Sequence, residues 1–203
     1  MFKTIFTLFL VLATQLASAG TLMKSMRAED QRRLCPAAEE SVETRTLRRE
    51  AAAILQAADL PANSITVLIG ECEGFASAAV TLDTIVIHPS LARLPRNERW
   101  FLLAHEIGHL VNKDVEKWAA LSESFDATPG ITDAQVVQAM NETSKTSELR
   151  ADEWAGNILR KLGFNPATAA ASFFERQGLM KLPGTTSHPA AKDRVQLLAV
   201  AKG

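Results

Sequence analysis

Between residues 97 and 111 the chain carries Trp100, Phe101, Leu102, Leu103, Ala104, Ile107, Leu110 and Val111, which leaves almost no polar face at helical period. A helix over Asn97–Val111 is predicted, and its apolar girth requires burial. Upstream, Glu39 to Ala58 mixes charge with Leu47, Ala51, Ile54, Leu55 and Ala58, an amphipathic helix closed by Leu60-Pro61. Ile65–Ile69 is β-branched and apolar, Gly70–Gly74 reads as a turn, and Phe75–Val80 and Thr84–Ile87 read as two further short strands.

Downstream the pattern loosens. Lys113–Thr146 is more polar and broken at Thr128-Pro129-Gly130, a peripheral excursion from the core. Ser147–Leu162 resumes helical period and stops at Gly163. Asn165-Pro166 opens a helix through about Gln177, Leu182–Ser187 is a loop, and Pro189 starts a last helix to the C-terminus. No internal repeat or low-complexity segment interrupts this order. The fold class is α+β, mainly helical, with a small mixed sheet and one buried central helix.

With 203 residues and 47% hydrophobic content, the chain reads as one domain over residues 20–203. A net charge of −1 supplies no basic field for nucleic acid or an anionic membrane surface. Residues 1–19 have the form of a secretory signal: Lys3, an apolar stretch from Ile5 to Leu12, then Ala17-Ser18-Ala19 before Gly20. An uncleaved anchor is the alternative, but Thr7, Thr14 and Gln15 keep the apolar stretch short of the roughly 20 residues a spanning helix needs. After residue 19 no apolar run approaches that length, so no membrane insertion is expected, and the expected location is periplasmic or secreted. The two cysteines, Cys35 and Cys72, fit a disulfide in an oxidising compartment. Two separate thiols are the alternative.

Chemistry concentrates in the buried helix. His105-Glu106-Ile107-Gly108-His109 is an H-E-x-x-H motif, whose imidazoles at i and i+4 share one face and converge as two ligands of one Zn²⁺. Glu106 is rotated by about 100° from His105 and flanks that point, where a base for a metal-activated water belongs. Without a metal, two imidazoles and a carboxylate on so apolar a helix would each incur a desolvation cost of a few kcal/mol. Catalytic zinc needs a third protein ligand and an open position. Glu148 is the best candidate, with Asp152 one turn later on the same face and able to accept the free ring N–H of a liganding histidine. Ala151 and Ala155 would let that helix lie close. Spacing alone leaves a solvated charged helix bearing Glu148, Arg150, Asp152 and Glu153 equally open.

The H-E-I-G-H at 105–109 followed by E-L-R-A-D-E-W-A from Glu148 resembles the HtpX-like and CAAX-prenyl-endopeptidase family of zinc peptidases, whose signature pairs H-E-x-x-H with E-x-x-A-D. The similarity continues through Leu162-Gly163-Phe164-Asn165-Pro166, Ala169 to Glu175, and Ser187-His188-Pro189 with Arg194, covering about Ile65 to Leu198. It implies a zincin-like metallopeptidase fold, one Zn²⁺ per chain, Glu148 as third ligand and Asp152 as its acidic partner. It also suggests His188 near the active site, steadying an oxyanion or occupying the open metal position at rest. Because the chain contains no Tyr, that oxyanion role falls to His188 or Arg194. His188 precedes Pro189 and is expected at the N-cap of the last helix, so a surface capping histidine remains the other reading. His88, before Pro89 at a strand end, reads as structural.

In position, Gly74 to Val80, with Phe75, Ala76, Ser77 and Ala78, matches the edge strand that pairs with extended substrate in zinc peptidases of this type. An ordinary short strand is the alternative. The expected function is zinc-dependent endopeptidase action on protein or peptide substrates in the envelope or outside the cell, with an envelope protein as a possible partner. Two rival readings are a latent metal-binding protein acting as a chaperone-like binding module, and a zinc amidase on cell-wall peptide. No wall-binding repeat supports the amidase.

Overall fold

The computed structural model describes residues 36–71, 78–80 and 84–200. The signal segment, Cys35, Cys72 and the expected strand residues Phe75, Ala76 and Ser77 lie outside the described residues. The elements run in order α1 (Val42–Ala57), β1 (Thr66–Ile69), β2 (Ala78–Val80), β3 (Thr84–Ile87), a 3-10 turn (Pro89–Arg93), α2 (Arg96–Val111), α3 (Asp114–Asp126), α4 (Asp133–Lys161), α5 (Pro166–Arg176) and α6 (Ala191–Val200).

The expected α+β class holds: helices carry most of the described chain, and the small sheet is mixed. Its order is β1-β3-β2, with β1 parallel to β3 and β2 antiparallel to it. Thr66 pairs with Thr84 and Ile69 with Ile87, while Ala78 pairs with Ile87 and Val80 with Ile85. Strand β3 is fully buried because it is the central strand. The outer edge of β1 receives the segment Pro36–Ala38, in which Ala37 faces Gly70.

Helix α2 is the predicted buried helix, and the core forms around it. Phe101, Leu103, Ala104 and Ile107 are almost inaccessible to solvent and cluster with Leu47 and Ile54 of α1, Ile85 and Ile87 of β3, Leu159 of α4 and Phe174 of α5. Burying side chains of this size stabilises by about 1.5–3 kcal/mol each. Two buried carboxylates inside this shell are paired. Arg99 binds Glu50 at 2.5 and 2.6 Å, and Glu98 accepts from Ser172 and Arg176 of α5. His88 caps the 3-10 turn, its Nδ1 accepting from the Ser90 amide, in keeping with a structural part.

Two boundaries depart from expectation. Helix α4 is continuous from Asp133, so the core helix expected from Ser147 begins fourteen residues earlier than 147. Thr132 and Gln135 form a capping box there, and no Gly or Pro interrupts the turns between. The excursion is therefore helix α3 plus the first turns of α4. The last helix begins at Ala191 rather than Pro189, because the first helical carbonyl is that of Ala190, which accepts from the Arg194 amide at 3.1 Å. His188 consequently stands in the preceding loop and not at an N-cap.

Candidate active site

Helices α2 and α4 pack closely where the site forms, and Gly108 is the reason they can. A methyl group there would meet the Ala151 carbonyl oxygen at 3.0 Å and its Cα at 3.2 Å. The small side chains of Ala151 and Ala155, both buried, complete the contact. This approach sets Glu148, on the facing side of α4, against the two histidines of α2.

The three side chains converge through specific atoms. His105 Nε2 and His109 Nε2 are 3.1 Å apart. Glu148 Oε2 lies 3.5 Å from His105 Nε2, and its Oε1 lies 3.5 Å from His109 Nε2. Zinc bonds of about 2.0–2.1 Å would place the ligand atoms of a tetrahedral site roughly 3.3–3.4 Å apart. The observed separations fit that spacing, so this donor set suits a zinc ion. Among the described residues, His105, His109 and Glu148 are the one group of at least three His, Cys, Asp or Glu side chains close enough to hold a metal.

Each imidazole is aimed from behind. His105 Nδ1 donates to Asp152 Oδ1 at 2.9 Å, and His109 Nδ1 donates to Asp114 Oδ2 at 2.9 Å. Both bonds leave Nε2 turned toward the cluster. Asp152, fully buried, is gripped by Arg194 of α6 through Nε at 2.6 Å and Nη2 at 2.7 Å. The third guanidinium nitrogen, Nη1, reaches Glu148 Oε2 at 2.9 Å. Phe174 lies under the Arg194 guanidinium at 4.9 Å and steadies its plane.

Burial pushes the His105 imidazole down, but its bonds to Asp152 and Glu148 outweigh that and raise it to about 10. His109 is raised likewise, its bonds to Asp114 and Glu148 exceeding the burial cost. Burial raises the Glu148 carboxyl, and the two histidines more than reverse this, holding it well below the ordinary range. Asp152 is lowered against its own burial cost by Arg194 and His105. The cluster thus favours positive charge at the point where the Nε2 atoms meet, which a dication would match.

The remaining expected residues fall as follows. Glu106 is half-buried, next to His105 on α2, and is not among the side chains that converge as a metal group. His188 is 53% exposed in its side chain, with Nε2 3.6 Å from Glu148 Oε1. Thr185 holds its backbone, accepting from the His188 amide at 2.9 Å through Oγ1 and donating its own amide to the His188 carbonyl at 2.8 Å. Ala78 belongs to β2, an outer strand of the sheet that packs against α2. Asp114 and Arg150 were not singled out by sequence reasoning as parts of the site. The available signal was an acidic residue five positions after His109, but a helix carried straight on would turn that residue about 140° away.

This chain matches the profile of peptidase family M48 over residues 41–201. It belongs to peptidase family M48. Comparison with curated proteins gives no match. As an M48 member the chain is a metallopeptidase, a hydrolase of the zinc-dependent kind, and the resemblance drawn from its two motifs is confirmed. The M48 match takes in every element described here, from α1 to α6. No described helix is long and apolar enough to cross a membrane.

Proposed function

We propose that this M48 peptidase is a zinc endopeptidase cutting protein substrates in the cell envelope or outside the cell, with His105, His109 and Glu148 as ligands. The observation that carries the reading is the spacing of the three ligand atoms, 3.1 and 3.5 Å, beside a carboxylate that is not among them. When bound, the ion supplies a Lewis acid that acidifies a water and polarises the scissile carbonyl. Glu106 would take a proton from the attacking water and return it to the leaving amine. Strand β2, on the sheet edge beside α2, is the place where an extended substrate would pair through its backbone. Such pairing reads little sequence and suits protein substrates in general.

The test is metal content of the purified protein with cleavage of unfolded casein, for wild type, Glu148→Ala and Glu106→Gln. One zinc per chain, lost with activity in Glu148→Ala and retained without activity in Glu106→Gln, is expected. Activity retained in Glu106→Gln would remove the base from its role, and wild type without zinc would overturn the reading.

A second reading has its own observation: His188 Nε2 stands 3.6 Å from Glu148 Oε1 but outside the three-residue cluster, so a movement of its loop would bring it to the open metal position at rest. In that latent state the chain would act as a binding module until a substrate or envelope partner displaced the loop. His188→Ala should then gain cleavage, whereas a loss would assign His188 to the oxyanion.

Export and a Cys35–Cys72 disulfide complete the proposal. The segments next to the two cysteines pair antiparallel, the Glu71 amide donating to the Pro36 carbonyl at 3.0 Å and the Ala38 amide to Ile69 at 2.9 Å. Ala37 faces Gly70 in the same pairing.

A further inference from the structure

Helix α2 ends at Val111, and the chain then reverses through Asn112 and Lys113. Lys113 adopts φ 54°, a left-handed conformation that a lysine rarely takes, and α3 starts at the next residue. That reversal brings Asp114 back under His109, where it is only 4% exposed and accepts from Nδ1 at 2.9 Å. Asp114 is held in turn by Arg150 of α4, whose Nη2 donates to its Oδ1 at 3.1 Å. Arg150 stands two residues after Glu148 on the same helix. Lys117, one turn into α3, approaches the same oxygen at 3.7 Å.

The result is a pair of similar relays on one cluster. Arg194, Asp152 and His105 form the first, and Arg150, Asp114 and His109 form the second. The first draws its carboxylate from α4 and its arginine from α6, and the second its carboxylate from α3 and its arginine from α4, so each histidine is aimed from a different helix. We propose that Asp114 is a positioning residue for the metal site: it fixes the Nδ1–H tautomer and ring plane of His109, with Arg150 holding the carboxylate in place. An imidazole whose Nδ1–H faces a carboxylate is a stronger donor at Nε2. The strained turn at Lys113 is what delivers that carboxylate, which gives the junction between α2 and α3 a part in metal binding as well as in chain reversal.

This inference rests on the zinc reading of His105, His109 and Glu148, and the test separates the two. Zinc affinity is measured by chelator competition on wild type, Asp114→Asn, Asp114→Ala and Lys117→Ala, and each protein is also loaded with Co²⁺ and its visible spectrum recorded. Asp114→Ala should bind zinc about 10–100-fold more weakly. Asp114→Asn, which keeps an acceptor and loses the charge, should fall between Asp114→Ala and wild type. Both should shift the Co²⁺ bands, while Lys117→Ala, which removes only an exposed lysine 3.7 Å from Asp114, should lose less affinity than either. Should the Ala variant fail to fold, the Asn variant decides. Affinity and spectrum equal to wild type in the folded Asp114 variants would overturn the proposal, and a wild type that binds no zinc would overturn both it and the site reading.

Discussion

Arg194 Nη1 lies 2.9 Å from Glu148 Oε2 while the rest of the same guanidinium holds both oxygens of Asp152. One side chain from the last helix therefore orients a candidate ligand directly and a histidine at one remove. Removing it takes the guanidinium from two carboxylates, one of them fully buried, and leaves the histidines beside them. Arg194→Ala should destabilise the protein by about 3–5 kcal/mol in chemical denaturation. Arg194→Lys, which keeps charge without the planar fork, should lose less. An Ala variant as stable as wild type would show that α6 does not brace the site.

Gly108→Ala tests the contact between α2 and α4. Its methyl would press on the Ala151 backbone at 3.0 and 3.2 Å and on Trp154 at 3.3 Å, and the backbone cannot swing aside as a side chain can. The expected cost is about 1–3 kcal/mol, with reduced zinc occupancy because Glu148 retreats with α4. Unchanged melting temperature and full zinc content would argue that the helices have room to spare.

Gly184 governs the loop that carries His188. A Cβ there would come within 2.7 Å of both the Ala190 amide nitrogen and the His188 carbonyl oxygen, so the segment 188–190 must move. Gly184→Ala should change casein cleavage in the same direction as His188→Ala, by up to about 100-fold, the scale of a 1 Å misplacement at an active site. Zinc content should stay at wild-type level. Wild-type cleavage in Gly184→Ala would mean that His188 has no fixed place in the reaction.

Glu98 supplies a pH dependence away from the metal cluster. Its bond to Arg176 is the main cause that holds the carboxyl below the ordinary range; burial opposes this and Ser172 assists. A lowered folded-state pKa contributes stability above the unfolded value of about 4.3, and the contribution fades as pH falls through the folded value. The stability gap between wild type and Glu98→Gln, read from urea melts, should be widest near neutrality and shrink below about pH 4. A gap that grows on acidification would contradict the pairing.

The proposed Cys35–Cys72 bridge would close a loop and stabilise by about 4 kcal/mol in the chain-entropy model. Intact mass after alkylation without reductant should show both thiols protected, and a reductant should lower the melting temperature. Two alkylated cysteines in the unreduced exported protein would end the disulfide proposal.

The H-E-x-x-H helix, its burial and the order of strands along the chain were legible from residue spacing, whereas the choice of Glu148 with Asp152 and the family itself rested on the resemblance of two motifs. The former are local properties: i, i+4 periodicity puts His105 with His109 and Glu148 with Asp152 on shared faces whatever the rest of the chain does. What only the tertiary structure decided is which groups meet across elements. The left-handed turn at Lys113 returns Asp114 to His109, although neither Gly nor Pro marks that turn in the sequence. Helix α4 runs unbroken from Asp133, which the sequence did not show because a polar stretch and a solvent-exposed helix have the same composition. The delayed start of α6 sets His188 in a loop held by Thr185, and Arg194 reaches Asp152 across a separation of 42 residues. Periodicity describes one element at a time, whereas the aiming of each imidazole depends on how three helices pack, and packing is a property of the whole core.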